Sequence, residues 1–75
     1  MRVFQDEKGR RWEAVVGRES WGAFFAIFLP KDGDEAPRQT MMEAETMEGA
    51  MKALATMGEE ELQATLARSD EKVME

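Results

Sequence analysis

The stretch Trp21 to Leu29, reading WGAFFAIFL, constrains this chain more than any other, because nine residues pass without one charged or polar side chain. A strand alternates its side chains between two faces, so a run of this kind is apolar on both. It is less than half as long as a membrane span and fits the central strand of a sheet. What the remaining residues can lay over those two faces then decides the fold.

The flanking segments supply the neighbours. Arg2 to Gln5 forms a short first strand, and Asp6-Glu7-Lys8-Gly9 has turn chemistry. Arg11 to Arg18 alternates, with Trp12, Ala14 and Val16 apolar and turned toward the core. Gly17-Arg18-Glu19-Ser20 reads as the next turn, and such short connections favour an antiparallel meander. Pro30 to Pro37 is an exposed loop, after which composition shifts to Ala, Met, Glu and Leu. Arg38 to Glu43 is polar enough for an edge strand, although Thr40-Met41-Met42-Glu43 also has the spacing of a helix capping box. The strand is the favoured reading.

Thr46 is a usable N-cap, and Met47, Ala50, Met51, Leu54 and Met57 follow at helical spacing. Gly58 suits the end of that helix, and Glu59, Glu60 and Glu61 suit the first turn of a second. Leu62 and Leu66 anchor the second helix, Arg68 stands near its end, and Ser69 to Glu75 reads as a frayed tail. The expectation is a single small α+β domain over residues 1–75. It has an antiparallel three- to four-stranded meander sheet, strands within about 2–43, followed by two C-terminal helices within about 46–68 packed on one face.

Two helices cover one face of such a sheet and leave the other bare. With Trp21, Ala23, Phe25, Ile27 and Leu29 turned toward the helices, Phe24, Ala26 and Phe28 face away beside Val15. Each buried Phe accounts for roughly 150–250 Å². A bare apolar patch of that size on a small domain usually has a purpose. Val15, Phe24, Ala26 and Phe28 are therefore the expected protein interface, most simply that of a homodimer. The opposite orientation of the strand presents Trp21 and Phe25 instead. The competing reading is a monomer whose twisted sheet is covered by its own Arg and Glu stems or by the tail.

Composition narrows the chemistry. The 75 residues include no Cys and no His, which excludes disulfides, thiolate or imidazole metal sites, and Cys- or His-based catalysis. Ser20 and Ser69 are the only serines and have no His to act as base, so no catalytic residue and no cofactor is assigned. Asp32-Gly33-Asp34-Glu35 gathers three carboxylates but lacks the length of a calcium loop, and turn chemistry explains it without a metal. The Met-rich segment from Met41 to Met57 suits either the helix's share of the core or an adaptable groove, and the core is favoured.

Charge adds a direction. Residues 1–38 carry seven basic and seven acidic side chains, whereas residues 39–75 carry three and nine, for a net charge of −6. Lys8, Arg10, Arg11 and Arg18 near Trp12 are interleaved with Asp6, Glu7, Glu13 and Glu19, which disfavours nucleic acid as a partner. No apolar signal segment opens the sequence, and a cytoplasmic protein without membrane association is expected.

A hairpin-rich start, a loop, and Glu45-Thr46-Met47-Glu48-Gly49-Ala50 opening a helix are similar in layout to small HicB-type antitoxins. The similarity covers about half the chain and rests on layout; the Pro-Asp-Leu-Pro-Gly-like segment that such proteins usually carry is absent, and Leu29-Pro30-Lys31-Asp32 is a poor substitute for it. The resemblance implies an acidic regulator that binds another protein. Glu59, Glu60 and Glu61 are the surface on which such a regulator would hold a basic partner.

Overall fold

A computed structural model describes residues 2–19 and 21–71. Five strands form one antiparallel sheet in chain order: β1 (Arg2–Gln5), β2 (Arg11–Arg18), β3 (Phe24–Pro30), β4 (Arg38–Met42) and β5 (Asp70–Glu71). Helices α1 (Met47–Thr56) and α2 (Glu59–Ala67) fall between β4 and β5. The fold is α+β as expected, with one strand more. Arg38–Met42 is a strand, paired to β3 from Phe28↔Arg38 to Phe24↔Met42.

The added strand corrects the reading of 69–75 as a frayed tail. Ser69 is buried, and Asp70 and Glu71 pair with Gln39 and Arg38. The Arg38 guanidinium donates to the Ser69 hydroxyl at 2.9 Å and also to its carbonyl, which ties the exit of α2 to β4. The remainder of the expected tail, 72–75, lies outside the described residues.

Two turns of one design join the first three strands. Asp6 N donates to Arg10 O and Gly9 N to Asp6 O; Glu19 N donates to Ala23 O and Gly22 N to Glu19 O. Gly9 and Gly22 have φ of +83° and +93°, the left-handed region that a side chain resists. The second turn therefore centres after Glu19 and not on Gly17-Arg18-Glu19-Ser20, of which Ser20 lies outside the described residues. β2 runs on through Gly17 and Arg18, and β3 begins at Phe24 instead of Trp21.

That displacement settles which way β3 faces. A turn at 17–20 would set Val16 opposite Trp21, whereas Val16 lies opposite Ala26, Ala14 opposite Phe28 and Trp12 opposite Pro30. Directly paired residues share a face, and an odd slip exchanges the faces of a strand. Phe24, Ala26 and Phe28 thus join Trp12 and Ala14 on the helix side. They are 5%, 0% and 0% exposed, so the expectation that they form an outward interface is corrected. Phe28 meets Phe4 edge to face, at 5.8 Å and 75°.

The helices close that side. Leu54 from α1 and Leu62 and Leu66 from α2 pack with Phe4, Trp12, Ala14, Ala26 and Phe28 in one cluster, with Val16, Met42 and Met57 at its margin. Thr46 caps α1, its hydroxyl accepting from Gly49 N at 3.0 Å. The last turn of α1 carries no basic residue, and the cation comes from β1 instead. Arg2 Nη1 donates to the carbonyls of Ala55 and Met57, each at 2.9 Å. α1 ends at a C-cap on Met57, immediately before Gly58 as expected, but Gly58 has φ −77° and serves as the N-cap of α2 instead of a left-handed cap for α1.

Candidate functional site

Alternation along β1 to β4 sends the other set of side chains to the second face of the sheet. Three cross-strand rows define it: Val3–Glu13–Leu29, Val15–Ile27–Gln39 and Gly17–Phe25–Met41. Val3, Met41 and Leu29 are 51%, 57% and 37% exposed, and Phe25, Ile27 and Val15 are half-buried. Trp21, in the turn before β3, is 67% exposed, and its ring meets Phe25 edge to face at 6.2 Å. An apolar field thus crosses four strands, with Glu13 and Gln39 as its polar members.

Of the four residues expected at an interface, Val15 alone stands on this open face. Trp21 and Phe25, named for the opposite orientation of β3, are both here. Val3, Ile27, Leu29 and Met41 were not picked out, although each follows from the alternation once the β2–β3 register is known. The thickness of the molecule agrees with a missing layer. Its principal extents are 32 × 31 × 19 Å. A sheet carrying one layer of helices occupies the short dimension, because a second packed layer adds about 10 Å.

Local packing shapes the face. A Cβ built on Gly17 would collide with Ile27 Cδ1, so the Ile27 side chain rests in the hollow that the glycine leaves. In the same row as Ile27, Gln39 Oε1 is buried without a hydrogen-bond partner among the described residues. At the rim, the Arg11 guanidinium grips the Asp32 carboxylate at 2.9 and 3.1 Å, which holds Asp32 below the usual carboxylate range.

A polar cleft of about 350 Å³ opens at the β1–β2 turn on the helix side. Four of its groups, Asp6, Arg10, Trp12 and Glu35, are joined to one another. The Asp6 carboxylate accepts from Trp12 Nε1 at 3.0 Å, from Lys8 N and Arg10 N at 2.9 Å, and from Arg10 Nε at 2.8 Å. Desolvation at the turn pushes the Asp6 pKa upward, but these donors outweigh it and bring the value to about 2. Arg10 also reaches Glu35 at 2.8 Å. Asp32 and Glu35, two of the three clustered carboxylates, are thus turned to arginines, and no set of side chains suited to a metal ion occurs among the described residues.

Glu59, Glu60 and Glu61 are exposed in the first turn of α2, where their charge complements the helix dipole. No helix among the described residues is long and apolar enough to cross a membrane. Compared with models of known families, with curated proteins and with solved structures, the chain finds no match.

Proposed function

We propose that this chain is a non-enzymatic protein-interaction domain that self-associates, two copies meeting through the open faces of their sheets as a two-fold dimer. The observation that carries the reading is the apolar field from Val3 through Phe25 and Ile27 to Met41, on a face that no element covers among the described residues. A second copy is the simplest complement, since a two-fold axis matches apolar rows to apolar rows and needs no opposite charge. A molecule whose two longer extents are 32 and 31 Å has room on a broad side for the roughly 800 Å² that each partner of a stable complex buries. Face-to-face packing of two sheets about 10 Å apart would interdigitate Phe25, Ile27 and Val15 as a core between them.

Sedimentation velocity over a concentration series tests this, with wild type beside Ile27→Asp. A dimer for wild type and a folded monomer for the variant is the expected result. A wild-type monomer at high micromolar concentration overturns the reading.

A further inference from the structure

Among the described residues, the second half of β2 has no strand along its outer edge. β2 is eight residues long and β1 four, and their pairing ends at Arg2↔Ala14. The phase of the ladder says which groups are left facing out. Arg11 O accepts from Lys31 N on the β3 side, and Arg10 O accepts from Asp6 N on the β1 side. Backbone groups alternate in direction along a strand between two antiparallel neighbours. Those of Val15 and Gly17 therefore point to β3, and the N–H and C=O of Val16 and Arg18 point away from it. Among the described residues no strand lies beside Val16 and Arg18.

A cavity of about 500 Å³ opens where β1 stops. Val16 and the α1 side chains Met47, Met51 and Leu54 line it, and its charged lining residues are both cations, Arg2 and Lys52. Met47 and Met51 are exposed here, so the methionine stripe divides: Ala50 and Leu54 complete the core, and these two methionines wall the groove.

We propose that this edge and groove dock an extended peptide of another protein, which adds to β2 as an antiparallel strand in line with β1. Each part of the site selects one property of the ligand. Outward N–H and C=O groups on alternate residues require an extended backbone. Polarizable, unbranched Met side chains receive an apolar side chain of varied shape. Arg2 and Lys52, the charged residues of the lining, favour carboxylates on the peptide locally, against the chain's net charge of −6. Val15 is the one lining residue that also stands on the open face; the docking groups lie along the β2 edge and on α1, so the site does not depend on self-association.

The test uses the full chain with labelled seven-residue peptides in which valine or leucine alternates with aspartate, beside a set alternating with lysine. Fluorescence anisotropy reads binding, and amide hydrogen exchange reads where it occurs. The aspartate set is expected to bind and to slow exchange at Val16 and Arg18 while leaving Val15 and Gly17 unchanged. Arg18→Pro removes an outward N–H that makes no bond to β3, and weakens binding roughly three- to tenfold. Lys52→Glu, on the exposed surface of α1, weakens it roughly two- to fivefold and leaves the fold intact.

Absence of binding by either set up to about 1 mM overturns the proposal, as does equal binding of both. So does slow exchange at Val16 and Arg18 in the free protein. Protection independent of protein concentration would mean that the chain fills its own edge, and protection that rises with concentration would mean that a second copy does. Ile27→Asp carries the same assay: peptide binding that persists in that variant separates this site from the face-to-face dimer.

Discussion

On one face of the sheet Trp12, Ala14, Ala26 and Phe28 are sealed beneath two helices; on the other, one residue along the same strands, Val15, Phe25, Ile27 and Met41 meet no covering layer among the described residues. The two sets have similar hydrophobicity, so apolar character alone does not say which stabilises the fold. Cover does. β3 is apolar on both faces and β2 mainly on one, and α1 and α2 have the length to close one face. What remains on the second is apolar surface that the described residues leave exposed in part.

The contrast is sharpest in two substitutions at adjacent positions. Phe28→Ala opens a cavity beneath the helices and loses the edge-to-face contact with Phe4. A loss of about 3–5 kcal/mol is expected in denaturant unfolding. For a chain of this size that approaches the whole stability of about 4–11 kcal/mol, so Phe28→Asp, with a buried charge, leaves no folded protein in which association can be measured. Ile27→Asp, one residue away, is expected to hold monomer stability within about 1 kcal/mol while weakening self-association a hundredfold or more. Equal unfolding by both would erase the distinction between the faces.

Much of this was legible before the structure. Trp12, Ala14 and Val16 declared their face by alternation, Thr46 declared the start of α1, and Leu62 and Leu66 declared the buried side of α2. The orientation of β3 was legible too, though from a different pair of letters. Asp6 to Gly9 and Glu19 to Gly22 have the same acid-x-x-Gly spacing and make the same turn. Gly17, which looked like the turn glycine, lies inside β2 where Ile27 needs room, and taking it as the turn exchanged the faces of β3. The β5 pairing was not legible. Two acidic residues have no strand character of their own, and they pair because Arg38 anchors Ser69 beside β4. The bare edge of β2 was hidden for a similar reason, since it follows from the unequal lengths of two strands.

The polar margin of the closed face gives a smaller effect with a definite pH dependence. Asp6→Ala leaves Trp12 Nε1 and two turn amides without their acceptor, and a loss of about 2 kcal/mol at neutral pH is expected. The folded-state pKa of Asp6, about 2, lies below its ordinary value of 3.8. Its contribution is therefore complete above pH 4 and lost as the pH falls from about 4 to about 2. Unfolding free energies of wild type and Asp6→Ala should converge across that window, and parallel curves would show that the carboxylate does not hold the turn.

The smallest effect belongs to the open face and turns on Gln39. Its Oε1 has lost water without gaining a donor among the described residues, an arrangement that costs stability wherever it occurs. Gln39→Leu keeps the approximate volume and removes the orphaned acceptor, and a gain of about 0.5–1 kcal/mol in monomer stability is expected. The sign of its effect on self-association says how the two copies meet. A face that packs dry against its equivalent gains from the exchange, and a tighter dimer is the expected outcome in the same sedimentation series. A weaker dimer from a more stable monomer would instead mean that Gln39 turns outward on association and takes its hydrogen bond from the second copy. The interface would then be centred on the Val15–Ile27–Gln39 row, with polar registration at its middle instead of an unbroken apolar contact.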